Sequence, residues 1–257
     1  MDEDENYDED ADAPNYIPVA DIDPTALRSA LCKIRFLGDD PFLRMQAVNI
    51  SVVDIFLSRL EDTVLKKLFA DDSAPLDEAA FLSAQSQMWI FAAYELLRTW
   101  RQRTAELIKW HENGGLDQKL KSLEKDLGYR HFGRSYRAEQ IRMVRDDPSL
   151  VESMHNDRRR IHILFVQIEA LRVSLAKHEL RGKRSSVALM PGYGRINRWC
   201  GSLDYELENG RYSMGTINRR NIADGIRALF LGDTLPSDAD IESFEEFMRG
   251  PDDVLEF

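Results

Sequence analysis

Side chains able to hold a charged group crowd the middle of this chain. Between residues 130 and 184 there are thirteen Lys and Arg against seven Asp and Glu, together with four of the five histidines. Arg134, Arg137, Arg142 and Arg145 form one cluster, Arg158, Arg159 and Arg160 lead into His162, and Arg181, Lys183 and Arg184 close the run. Guanidinium groups at this density neutralise a nucleic-acid backbone or an acidic protein surface. They serve equally well as the solvated face of two neighbouring helices, or as a docking surface for acidic parts of the same chain.

Other groupings are sparser. Glu95 and Arg98 lie one helical turn apart, close enough to hold a ligand or simply to pair with each other. The segment Pro191-Gly-Tyr-Gly-Arg195 combines glycines with Arg195 and the nearby Arg198. Such a loop offers backbone amides to a phosphate, but it opens no helix after a strand and also reads as a plain connecting turn. The sequence contains no GxSxG, P-loop, HExxH or EF-hand pattern. Cys32 and Cys200 are far apart and have no ligand spacing around them, which points to a reducing compartment and to no metal or other cofactor.

Arg172-Val-Ser-Leu-Ala-Lys-His178 resembles the Arg and His motif of the HEPN helical ribonucleases. The resemblance reaches over about residues 77 to 180. It implies an all-α bundle in which Arg172 stabilises phosphate charge and His178 is general base or acid, as in a toxin or defence nuclease. Val173 stands where that family often has Asn or Asp. Without the nuclease reading, both residues sit at a helix C-terminus, where the dipole favours cations.

The elements that must position these groups are mostly helices. Residues 1–16 are an acidic tail, with eight acids and no base between 2 and 12, too poor in large apolar side chains to repay ordering. Asp23-Pro24 and Asp40-Pro41 are cap-then-proline starts. After them come Leu27, Leu31 and Ile34, then Leu43, Ala47, Ile50, Leu57, Leu60, Val64 and Leu68 at helical spacing. The longest series runs from Asp77 to Gly114, and shorter helices are expected over 116–127 and 135–145. Asp147-Pro148 opens another long helix to about Leu180, with Ile161, Leu164, Phe165, Ile168, Leu171 and Leu175 in phase. Further on, Leu203 to Leu207 and Tyr212 to Thr216 alternate around Asn209-Gly210, a β-hairpin with a type I′ turn. Asn218 caps a helix closed by Gly232, and a last helix covers about Asp238 to Met248.

The fold expected is mainly α: a multi-helix bundle with long antiparallel helices over 17–185, followed by a small appendage over 186–257 carrying the hairpin and two short helices. No apolar run is long enough to span a bilayer and the N-terminus lacks a signal-peptide pattern, so a cytoplasmic location away from membranes is expected.

A net charge of -11 sorted into acidic ends and a basic middle points to a non-catalytic binding or regulatory protein. It recognises an acidic protein, or else nucleic acid, through residues 130–184, and the long helices make a homodimer plausible. A third reading has the acidic ends mimicking nucleic acid. In the first reading the N-terminal tail competes for the basic stretch, so deleting residues 1–14 is expected to raise affinity for polyanions at low salt. Titration of a fluorescent polyanion against both chains checks this, and unchanged binding would count against tail competition.

Overall fold

The computed structural model describes residues 16–129, 131–176, 194–208 and 213–250. Residues 1–15 of the expected acidic tail, the end of the sixth helix with His178, the Arg181 to Arg184 cluster, residues 191–193 of the glycine-containing turn and the Asn209-Gly210 turn lie outside them, whereas Tyr16, expected in the tail, accepts hydrogen bonds from Asn218 and Asn221. Among the described residues the fold is mainly α, with eight helices and one small antiparallel sheet: α1 (Ala26–Lys33), α2 (Pro41–Asp71), α3 (Leu76–Glu112), α4 (Leu116–Glu124), α5 (Phe132–Asp146), α6 (Ser149–Ala176), β1 (Arg195–Ile196), β2 (Leu203–Glu208), β3 (Ser213–Ile217), α7 (Arg219–Ala228) and α8 (Asp238–Arg249). No helix among these residues is long and apolar enough to cross a membrane.

The Asp40-Pro41 signal acts as its chemistry dictates, whereas α1 starts only at Ala26 with Thr25 in the cap position, because the Asp23 carboxylate is taken by the Thr25 amide and hydroxyl. Asp40 accepts hydrogen bonds from the amides of Phe42 and Leu43, and Pro41 occupies the first turn, where no backbone donor is required. The other oxygen of Asp40 takes Arg103 of α3 at 2.5 Å and Gln140 of α5 at 3.3 Å, so one cap joins three helices. Helix α3 is the spine. It lies antiparallel to α2, with the Trp89 indole donating to the Ile50 carbonyl at 3.0 Å. It is antiparallel also to α6, with Tyr94 donating to Glu169 at 3.1 Å and stacked on Phe165.

Two apolar clusters follow. The larger combines Leu31, Ile50, Trp89, Trp100, Ile168 and Leu171 with Leu203, Tyr205, Ile217 and Ile222. Strand β2 and helix α7 are thus built into the same core as the long helices. The smaller cluster, around Leu107, Ile141 and Met154, joins α4 and α5 to the far end of α3.

In the sheet, β2 pairs with β3 (Tyr205 opposite Ile217) as the alternation predicts, and β1 adds an edge that the sequence reading does not foresee (Arg195 opposite Asp204). The turn from β1 to β2 presses on α2. Gly201 has a φ of 73°, and a Cβ there would lie 2.0 Å from the Glu61 carbonyl oxygen, so only glycine fits.

The tightest polar joint is fully buried. Arg219 of α7 donates to Glu61 at 2.8 and 2.5 Å, to Ser58 at 3.1 Å and to Asp54, all on α2. Its guanidinium faces Trp89 at 5.4 Å, and Arg227 donates to the second oxygen of Asp54. Burial works against the charge on Arg219, but Glu61 and Asp54 outweigh it and raise its pKa. Arg219→Met takes both close guanidinium contacts from the buried Glu61 and leaves Asp54 with Arg227 alone, and is expected to cost about 3–5 kcal/mol. The denaturant midpoint should fall accordingly, whereas an unchanged midpoint would mean that the pair is not buried in solution.

Candidate binding surface

The basic stretch divides into two sets by the helices that carry it. On α5, Arg134 donates to the carbonyls of Ser122 (2.7 Å) and Leu123 (3.1 Å), closing the last turn of α4. Arg137 reaches the Arg103 carbonyl at 2.8 Å and Glu106 at 2.9 Å and lies over Trp110, with burial lowering its pKa and Glu106 partly restoring it. Arg142 is held between Glu124 and Glu139, and Arg145 by Asp146 with Asp117 at 3.8 Å. These four arginines fasten α5 to α3 and α4.

Of the α6 set, Arg159, Arg160 and His162 face the C-terminal segment, whereas Arg158 turns to α3. Arg158 donates to the Arg101 carbonyl at 2.6 Å, and burial lowers its pKa. Arg160 donates to the carbonyls of Leu229 (3.0 Å) and Gly232 (3.2 Å) and covers the Phe230 ring. Arg159 donates to the Pro236 carbonyl and pairs with Asp238 at 2.7 Å. One turn further on, His162 meets Glu245 at 2.8 Å.

Helix α8 is therefore seated on α6 by its own acids. It begins with a reciprocal cap in which Ser237 and Asp240 bond each other's backbone amides. It buries no residue fully, and Ile241, Phe244 and Met248 form its half-buried stripe. Asp238 and Glu245, seven residues apart, fall on one side of it.

The remaining candidates lie elsewhere. Glu95 and Arg98 pair with each other at 2.6 Å on an exposed turn of α3. Arg195 is exposed on the edge strand, and Arg198 stands 5.9 Å from the Phe69 ring. Arg172 lies over the Tyr94 ring at 5.3 Å, whereas His178 is outside the described residues. Sequence reading misses two features. One is the partnership of Arg159 and His162 with Asp238 and Glu245, for which the high acid content of α8 is the only signal. The other is the buried Arg219 cluster, foreshadowed by Asp54 and Glu61 standing in phase with Ile50, Leu57 and Val64.

Comparison with protein-family models, curated proteins and solved structures finds no match to this chain.

Of the two thiols, Cys200 is buried, and burial pushes its pKa up to about 12. At pH 8 it is therefore protonated and a poor nucleophile. Iodoacetamide is expected to spare Cys200 in the folded chain and to label it only after unfolding, read by peptide mass analysis. Rapid labelling without denaturant would contradict this burial.

Proposed function

We propose that this chain is a non-catalytic helical binding protein that recognises an acidic amphipathic helix of a partner protein on the Arg159 and His162 side of α6. The observation that carries this reading is the chain's own α8, an acidic helix already seated there through Asp238 and Glu245. A partner helix with acids seven residues apart beside an apolar stripe meets the same groups and displaces α8. Because α8 is tethered, it competes at high effective concentration and holds the affinity of the resting chain down.

Three features favour an acidic protein over nucleic acid. The α5 arginines already face carboxylates or main-chain carbonyls, so they do not form an open row of cations for a phosphate backbone. Asp238, Asp240, Glu242, Glu245 and Glu246 crowd the rim of the surface. The net charge of -11 repels a phosphate backbone at long range. Recognition of a helix, by contrast, needs only a few well-placed cations along an apolar seam.

The test is fluorescence anisotropy with a labelled peptide spanning residues 237–250. The peptide is expected to bind the Asp238→Ala/Glu245→Ala chain about tenfold more tightly than the unaltered chain, since each lost pair weakens the internal competitor modestly. Arg159→Ala/His162→Ala should remove that binding, and raised salt should weaken it. Binding indifferent to Arg159 and His162 would overturn the proposal. Preferential binding of single-stranded nucleic acid through those residues would replace the protein partner with a polyanion.

A further inference from the structure

We infer that the outer face of the α2 and α3 hairpin docks a second copy of this chain. On α2 the core side carries Ile50, Asp54, Leu57 and Glu61, all buried. The opposite side carries Phe42, Met45, Val52, Val53 and Phe56, which the helical period brings onto one face, and all five are exposed. On α3, Leu82, Trp89, Ala93 and Trp100 face the core, while Phe81, Ala84, Met88 and Ala92 recur on the outside. Phe56 is 65 % exposed, Met88 64 % and Phe81 58 %, far from the solvation such side chains favour.

The two stripes adjoin. Trp89 reaches the Ile50 carbonyl, and Lys67 pairs with Glu78, so the antiparallel helices are tied at two levels. Between those ties Phe56 stands within about one turn of Met88. Both stripes turn away from α7, whose arginines occupy the Asp54 side of α2. The result is one continuous apolar face rather than two separate ridges.

Area and charge both point to a second copy as the occupant. Taking about 200 Å² for a fully exposed phenylalanine, the exposed fractions of these residues add up to something on the order of 700 Å². That is close to the ~800 Å² per partner of a standard stable interface, and larger than the apolar patches usually left on monomers. With a net charge of -11, two copies repel over most of their surface. This face escapes that repulsion. Its polar members are the neutral Asn49 and Gln85 and the exposed cation Arg59, with no carboxylate among them, and two internal ion pairs lie at its borders, Lys67 with Glu78 and Glu95 with Arg98. Two hairpins related by a twofold axis would form a four-helix layer with the same patch on both sides.

The test is sedimentation equilibrium of the full chain. The unaltered chain is expected at twice its 29.6 kDa mass at micromolar concentration. Phe56→Glu and Met88→Glu, made separately, should each raise the dimer dissociation constant about 100-fold or more. Circular dichroism spectra of these variants below the melt should keep the helical content of the unaltered chain, because neither side chain supports the core. Arg159→Ala/His162→Ala should leave the dimer intact, which separates this interface from the α6 surface. A monomer at all concentrations, or a dimer that persists in both glutamate variants, would overturn the inference.

Discussion

Asp54 and Glu61 stand on the buried side of α2, where a carboxylate without a partner is severely penalised. Arg219 answers both at once and Arg227 completes Asp54, so α7 has essentially one position in which these charges are satisfied. The constraint spreads outward from there. Fixing α7 fixes the Leu229 to Gly232 turn, whose carbonyls Arg160 collects, and that turn delivers α8 to α6. The placement of the most exposed helix is thus set by the most buried charges. Pairs of this kind add little net stability relative to apolar substitutes, but they penalise alternatives heavily. That fits a fold in which a short helix must find one site among several long ones.

The same economy of charge explains how an acidic chain tolerates a dense basic stretch. Most of those arginines bond main-chain carbonyls or carboxylates of a neighbouring element. Their flat, multi-donor heads suit this stapling better than lysine would. Arg159 and His162 differ because their partners belong to a helix with no fully buried residue of its own. An interaction built from two partly solvated pairs and a half-buried stripe is the kind that salt, or a competing helix, can open.

Much of the architecture is legible along the chain because its signals are local. Asp40 before Pro41 and Asn218 with its reciprocal cap to Asn221 mark helix starts through chemistry completed within four residues. Period and length identify α2, α3 and α6. Two residues of β1 are too few for alternation to register, and their pairing with β2 depends on a turn that packs on α2. The site is harder to read for a related reason. Spacing tells which side chains share a face of one helix, but His162 and Glu245 are separated by 83 positions, and nothing local states which element will cover which. Asp54 and Glu61 were the available clue: two acids in phase with an apolar stripe call for buried cations somewhere, although the sequence alone does not say that Arg219 supplies them.

Amide hydrogen exchange of the intact chain across a salt series tests the α6 and α8 contact most directly. If charge pairing seats α8, its amides between residues 238 and 249 exchange faster as ionic strength rises from about 0.05 to 0.5 M, while α7, held by buried ions, keeps its protection. The Arg159→Ala/His162→Ala chain then shows the fast α8 pattern already at low salt. Equal protection of α8 at every salt concentration and in both chains would contradict the account, because the helix would then be held by something other than the charges that a partner is proposed to contest.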